Sequence, residues 1–191
     1  MRQCHLVIMV KEPCAGRVKT RLGKDIGHIA AAWWFRHQTA RLIRRLSPDR
    51  RWRTVLAVSP DNAVFSRWWP ANVARLAQGQ GDLGARMNRA IAAMPPGPVV
   101  VIGADIPEIR PDHIVTAFRA LGRSDAVFGP ATDGGYWLVG LARKTQARRA
   151  GFLENVRWSG PHALADSIAS LGDATTALID ALNDVDTAAD L

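Results

Sequence analysis

Cysteine, lysine and long apolar runs are scarce in this chain of 191 residues. Cys4 and Cys14 are its only cysteines, too few for a disulfide framework or a structural zinc site, so a reducing, cytoplasmic setting is expected. No apolar stretch approaches the roughly 18 residues that a membrane span needs. The longest near the N-terminus, Leu6 to Val10, is strand-sized and carries no secretory cleavage pattern, so no membrane partner is expected. The histidines His5, His28, His37, His113 and His162 are scattered, without metal-ligand spacing, and are expected on the surface or on helices. Lysine occurs only at positions 11, 19, 24 and 144, so the net charge of +8 is almost wholly arginine.

That charge is concentrated in the segment Lys11 to Lys24 and in the stretch Arg36 to Arg53. Neither has the aromatic platform or recognition helix of a nucleic-acid binder, so no nucleic-acid partner is expected and the second stretch reads as a solvated face. The first is rich in glycine and proline, as a phosphate-holding loop would be. Hydrophobic residues at 48% and charged residues at 22% describe an ordinary globular chain, long enough for one domain with a sizeable core.

The periodicity predicts strands at Leu6–Val10, Thr54–Val58, Asn72–Ala77, Val99–Ile102, Ala126–Phe128, Tyr136–Leu141 and Thr175–Ile179. Helices are predicted over Gly27–Leu46, from an Asp82 cap to Met94, over Pro111–Leu121 and over Pro161–Leu171. On the first of these, Ile29, Ala32, Trp33, Ala40 and Ile43 are expected to form the apolar face. Arg143–Trp158 reads as an irregular excursion over one face, and Trp68-Trp69-Pro70 either as a homodimer contact or as a cover for the core. Strands alternating with helices predict a single-domain, Rossmann-like, doubly wound and mostly parallel sheet. Ligands of such sheets sit beyond the carboxyl ends of the strands, which draws attention to polar residues that follow apolar runs.

Four groups meet that description. After the first strand, Gly16 allows a tight turn, Lys19 offers a mobile charge and Arg21 a fork for phosphate oxygens; a plain basic surface loop has the same composition. The Walker A spacing is absent. After Val99–Ile102, Asp105 could hold a divalent cation against a diphosphate, or cap the next helix. Further on, Asp133-Gly134-Gly135-Tyr136 could pack backbone against a ligand, or simply turn a hairpin. Near the end, Asp184 and Asp186 share a face if extended, and could supply a second metal carboxylate or belong to a frayed acidic terminus.

Pro-x-x-Gly-Arg-Val-Lys-Thr-Arg-Leu at Pro13–Leu22, Gly-Asp-Leu-Gly at Gly81–Gly84, Asp-Ile-Pro at Asp105–Pro107, Pro-Ala-x-Asp-Gly-Gly-Tyr-Trp at Pro130–Trp137 and Asp-Val-Asp-Thr at Asp184–Thr187 occur in that order. Together they resemble the bacterial DUF2064, or rSAM/selenodomain-associated transferase 1, family of the nucleotide-diphospho-sugar transferase (glycosyltransferase-A) superfamily. The likeness runs from about Cys4 to Asp190 and is similar, beyond the family, to phospholactate and molybdenum cofactor guanylyltransferases.

The resemblance implies a glycosyltransferase-A type fold and a metal-dependent transferase, with Mg²⁺ or Mn²⁺ as cofactor. It implies that Pro13, Gly16, Arg17, Lys19, Thr20 and Arg21 handle nucleotide phosphates and that Asp82, Leu83 and Gly84 lie near the base or ribose. Asp133, Gly134, Gly135 and Tyr136 would lie near a small-molecule acceptor, and Asp105 and Asp186 would hold the metal. Lys19, Arg21, Asp105 and Asp133 are the residues expected to carry the chemistry. The donor it implies is a nucleoside triphosphate, for nucleotidyl transfer onto a phosphorylated small-molecule acceptor with release of pyrophosphate, or alternatively a nucleotide sugar, for glycosyl transfer. A non-catalytic nucleotide-binding module is the remote third reading. The Leu-Ala-Gly-Gly opening of the molybdenum cofactor enzymes is replaced here by Met9-Val10-Lys11-Glu12-Pro13, so no base preference carries over.

Overall fold

The computed structural model describes residues 3–142 and 151–191. Seven strands form one sheet: β1 (Cys4–Lys11), β2 (Trp52–Ser59), β3 (Ala74–Ala77), β4 (Val99–Ile102), β5 (Ala126–Pro130), β6 (Tyr136–Leu141) and β7 (Thr176–Leu178). Their spatial order is β3-β2-β1-β4-β6-β5-β7. β1 pairs in parallel with both β2 and β4, and β2 with β3; β6 runs antiparallel to β4 and β5, while β7 is parallel to β5. The sheet is therefore mixed and mostly parallel, as the strand–helix alternation predicts.

The centre of the sheet follows from composition. All four residues of β4 are buried, as are Leu6, Val7 and Ile8 of β1 and Leu56, Ala57 and Val58 of β2. Such continuous apolar runs leave no polar face for water, so helices must cover both sides. α1 (Thr20–Ile26), α2 (His28–Leu46), α3 (Leu83–Ala92), α4 (Pro111–Ala120) and α5 (Ala163–Ala169) accompany the strands. Two hydrophobic clusters flank the sheet: one gathers Leu6, Ile8, Phe35, Leu42 and Ile102, the other Val7, Met87, Val101, Phe128 and Val139.

Several elements depart from the expectation. The basic loop is shorter than its composition implies, because Thr20–Ile26 is already helical and Gly27, at φ 89°, breaks α1 from α2. Phase also shifts the buried face of α2 to Ala31, Ala32, Phe35, Gln38, Thr39, Leu42, Ile43 and Leu46. Ile29 and Trp33, expected on that face, are 81% and 61% exposed. His5, expected at the surface or on a helix, lies buried in β1, since an inner strand leaves its residues no solvent side. Of the tryptophan pair, Trp69 covers the core and donates its indole N–H to Ala63 O, whereas Trp68 is partly exposed beneath the Arg36 guanidinium.

Part of the irregular Arg143–Trp158 excursion, residues 143–150, lies outside the described residues. From Gly151 onward the chain is held by Phe152, Leu153 and Val156, all buried, and by the Arg157–Asp166 ion pair at 2.9 Å. Leu153, Asn155 and Ser159 have positive φ. Non-glycine residues avoid that region, so tertiary packing imposes this path. Gly84, in the first turn of α3, makes room for it: a Cβ there would lie 2.3 Å from Leu153 O and 2.9 Å from Trp158 Cζ2. Because one of these neighbours is backbone, Gly84→Ala is expected to destabilise the fold by about 1–3 kcal/mol, the usual cost of overpacking. Urea denaturation measures it, and a change below about 0.5 kcal/mol would show that the segment yields freely.

Candidate functional site

The sheet changes winding direction at β1, which connects onward to β2 on one side and has β4 on the other. Beyond the carboxyl ends of these strands opens a cleft of about 800 Å³, within the range of small-molecule sites.

Lys19 sits at its charged centre. Val18, before it, is buried in the core and pins the loop, while Lys19 itself adopts a left-handed backbone (φ 43°, ψ 52°) at the start of α1. For a residue with a β-carbon this costs on the order of 1 kcal/mol or more, and it persists only where surrounding contacts impose it. Those contacts are three carboxylates. Lys19 Nζ lies 2.6 Å from Asp105 Oδ2, 3.0 Å from Asp184 Oδ2 and 2.8 Å from Asp186 Oδ1. Arg21 joins the cluster through its Nη1, 2.7 Å from Asp186 Oδ2.

Each aspartate is aimed by hydrophobic neighbours. Ala104 and Ile106 are buried on either side of Asp105, which turns its carboxylate outward at the end of β4. Helix capping, the alternative role for Asp105, is not what it does: the residue preceding α4 is Arg110, whose backbone N–H donates to His113 Nδ1. In the C-terminal segment, Val185 is buried against Leu22 and Ala31 and donates its N–H to Asp105 O. An extended chain with its middle side chain inward sends its neighbours the other way, so Asp184 and Asp186 both reach Lys19. The Asp25 carboxylate accepts from Ala188 N, and Asp190 accepts from Thr187 N, so this terminus is tied down rather than frayed.

The electrostatics follow from these contacts. Burial pushes the Lys19 pKa down, but the charge of Asp105 and hydrogen bonds to Asp105 and Asp186 outweigh it and hold the ammonium firmly protonated. Burial raises Asp184, with Asp105 adding to it and Lys19 only partly offsetting it. Burial also opposes the charge of Asp186, yet bonding from Lys19 wins and its pKa is lowered. Across the cleft, burial raises Tyr136 well above the ordinary phenol value, against a smaller opposing effect of the Ser167 hydrogen bond. Tyr136 therefore stays protonated and acts through hydrogen bonding and packing.

The remaining expected residues divide by position. Arg17, Lys19, Thr20, Arg21, Asp82, Leu83, Asp105, Asp133, Gly135, Tyr136 and Asp186 line the cleft. Pro13, Gly16, Gly84 and Gly134 stand outside its lining. Asp82 caps α3 by accepting from Ala85 N. The Asp133–Tyr136 segment is the turn between antiparallel β5 and β6, with Asp133 Oδ1 accepting from Gly135 N. Gly134 has φ 83° and would drive a Cβ into the Pro161 backbone at 2.4 Å, so packing accounts for that glycine. Trp137 is core, its indole N–H donating to Asp180 O. Gln78, Arg86, Met87, Trp158 and Ser159 also line the cleft without having stood out in the sequence. Gln78 and Arg86 flank the Gly-Asp-Leu-Gly block at Gly81–Gly84, and that nearness was their only local signal.

Among the described residues, no three His, Cys, Asp or Glu side chains stand close enough to hold a metal ion as placed, because the Lys19 ammonium lies between the three carboxylates. No described helix is long and apolar enough to cross a membrane.

The fold is similar to several solved structures. A candidate nucleotide-diphospho-sugar transferase of Desulfovibrio desulfuricans G20 is 27% identical over 98% of this chain and 84% of that one, with a TM-score of 0.86. The 4-diphosphocytidyl-2C-methyl-D-erythritol synthase of Anaerococcus prevotii DSM 20548 is 10% identical over 99% and 94%, with a TM-score of 0.62. Rv0371c of Mycobacterium tuberculosis H37Rv in complex with manganese is 18% identical over 98% and 95%, with a TM-score of 0.56. These likenesses agree with a doubly wound, glycosyltransferase-A type fold. No curated protein sequence matches this chain. Residues 42–160 match the family described as "Uncharacterized protein conserved in bacteria (DUF2064)", and with that match covering well over half of it, the chain belongs to the DUF2064 family.

Proposed function

We propose that the protein is a metal-dependent nucleotidyltransferase, which moves a nucleotidyl group from a nucleoside triphosphate onto a phosphorylated small-molecule acceptor. The observation that carries this reading is the convergence of Lys19 with Asp105, Asp184 and Asp186 beside Arg17 and Arg21, at the carboxyl ends of β1 and β4. Cations on a loop and carboxylates behind them are what a triphosphate and its counter-ion require. Asp105 and Asp186, with Asp184, form an all-oxygen donor set suited to Mg²⁺ or Mn²⁺, and they would hold the ion once Lys19 turns to the phosphates. The ion would neutralise phosphate charge and polarise the reacting phosphorus.

In the reaction an acceptor phosphate oxygen attacks the α-phosphorus. The bond to the bridging oxygen between the α- and β-phosphorus breaks, and pyrophosphate leaves. The acceptor oxygen is already anionic, so no general base is needed, which suits a cleft without a lining histidine among the described residues. Lys19, Arg17 and Arg21 stabilise the charge that moves onto the departing oxygens. Asp133, on the β5–β6 turn, orients the acceptor, and Tyr136 packs beside it.

Glycosyl transfer from a nucleotide sugar is the second reading. It is favoured by the likeness to the 27% identical Desulfovibrio protein, a candidate nucleotide-diphospho-sugar transferase, and by the exposed Asp133, which could take a proton from an acceptor hydroxyl.

Thermal-shift measurements with nucleoside triphosphates and nucleotide sugars, with and without Mn²⁺, separate the readings. Metal-dependent stabilisation by a triphosphate is expected for the natural chain and should be lost in D105N, together with at least about 100-fold of any turnover. Stabilisation confined to nucleotide sugars would replace nucleotidyl by glycosyl transfer. Absence of any shift would overturn the nucleotide site.

The ion cluster generates a second, ligand-free expectation. A carboxylate whose folded pKa is lowered contributes stability above its unfolded value and loses it as pH falls through the folded value; a raised one has the opposite sign. At pH 7, D186N should therefore lower the melting temperature, whereas D184N should leave it equal or higher. The gap between the variants should shrink as pH is taken from 7 to below 4. Equal losses at neutral pH would show that both carboxylates are stabilised alike.

A further inference from the structure

The Lys19 ammonium carries three hydrogens, and the fold brings it three carboxylates: Asp105 Oδ2 at 2.6 Å, Asp184 Oδ2 at 3.0 Å and Asp186 Oδ1 at 2.8 Å. Its side chain is only 7% exposed, whereas those of the aspartates are 27%, 37% and 36% exposed. The carboxylates are thus reachable from the cleft, but the point on which their oxygens converge is filled by Lys19. With one N–H engaged by each carboxylate, the ammonium has none left for a phosphate oxygen. Counter-ion to the aspartates and ligand to a phosphate are exclusive roles for this one side chain.

The backbone on either side is anchored. Val18 and Leu22 are buried, and Lys19 O accepts from Gly23 N at 2.8 Å. What can turn is the four-carbon stem, whose torsions carry the ammonium from one partner to another. Arg17, Thr20 and Arg21 line the same cleft and mark where a polyphosphate would draw it. Arg21 differs in kind: it is 69% exposed and bonds Asp186 through Oδ2, at the edge of the carboxylate trio and not at its centre.

Taking the ammonium away without replacement would leave three half-buried carboxylates facing one another, a costly arrangement. A divalent ion offered alone meets the converse obstacle, since it must expel an ammonium that has no other partner. A polyphosphate removes both obstacles by receiving Lys19 as its carboxylates become free. Binding of ion and polyphosphate is then linked, each raising the affinity for the other by the same factor.

We infer that Lys19 gates the carboxylate site: in the free protein its ammonium stands in for the divalent ion, and it yields Asp105, Asp184 and Asp186 only when a polyphosphate-bearing ligand draws it away. The gate rests on the nucleotide and metal reading proposed above.

The test is Mn²⁺ binding to the protein alone, without nucleotide, followed by the electron paramagnetic resonance of the free ion. The natural chain should bind weakly, and K19M should bind roughly tenfold more tightly or better, within the usual range of coupling between sites. Loss of a positive charge by itself favours a cation, so R21M serves as the control: it removes an equal charge from the same cluster without emptying its centre. R21M should gain less than about threefold. K19M/D105N should lose the gain, which locates the ion at the carboxylates. Equal gains in K19M and R21M, or a natural chain that binds Mn²⁺ as tightly as K19M, would overturn the gate. Should K19M not fold, K19Q, which keeps a hydrogen-bond donor for the carboxylates, replaces it with the same expectation. If Mn²⁺ still promotes triphosphate binding to the natural chain but binds neither Lys19 variant alone, the gate is overturned and the metal reading stands. If Mn²⁺ acts in neither experiment, the metal reading falls and the gate with it.

Discussion

An ammonium group shared by three carboxylates is the interaction on which the rest of this site depends. Lys19 draws together Asp105 from the end of β4 and Asp184 and Asp186 from the C-terminal segment, parts of the chain far apart in sequence. Like charges so close repel one another, and a half-buried cleft wall screens them less than open water would. Without a cation at their centre the carboxylates could not remain together in charged form. The left-handed backbone of Lys19 fits the same account: local strain is tolerated where several long-range contacts converge on one residue.

The apolar residues next to these charges matter as much as the charges. Val18, Ala104, Ile106 and Val185 are all buried, and each is adjacent in sequence to a member of the cluster. Burial of one side chain sets the direction of the next, so the core fixes the aim of the site. The opposite wall is built differently. There Gly84 admits the 151–160 segment with its positive-φ residues, and Gln78 is held by main-chain carbonyls of two strands. One wall is organised by charge and the other by backbone hydrogen bonds.

Much of this was readable in advance, for definite reasons. Val99–Ile102 announced a central strand because a run of β-branched residues has no polar face, and the polar residue just beyond it, Asp105, lies in the cleft. Asp82 announced a helix start because its carboxylate can satisfy a free backbone N–H of the first turn. Boundaries were less legible. Thr20–Ile26 looked like loop because its glycine and charges carry no strong period, yet Leu22 is drawn into a small cluster with Ala31 and Val185 and the segment becomes helix. Ile29 and Trp33 looked like core on α2 because they are apolar, but the helix turns them to solvent.

By itself, the sequence determined the alternation of strands and helices, the central position of the most apolar strands, and the blocks of polar residues that follow them. These are local properties, written in periodicity, caps and turns. Only the tertiary structure decided that β6 enters antiparallel between β4 and β5, that the acidic C-terminus returns to Lys19, and that Trp158 and Gln78 face the same cleft as Asp105. Those outcomes depend on contacts between distant segments. Such contacts form because burying apolar neighbours and satisfying buried charges are properties of the whole packed chain, and no single stretch of residues records them.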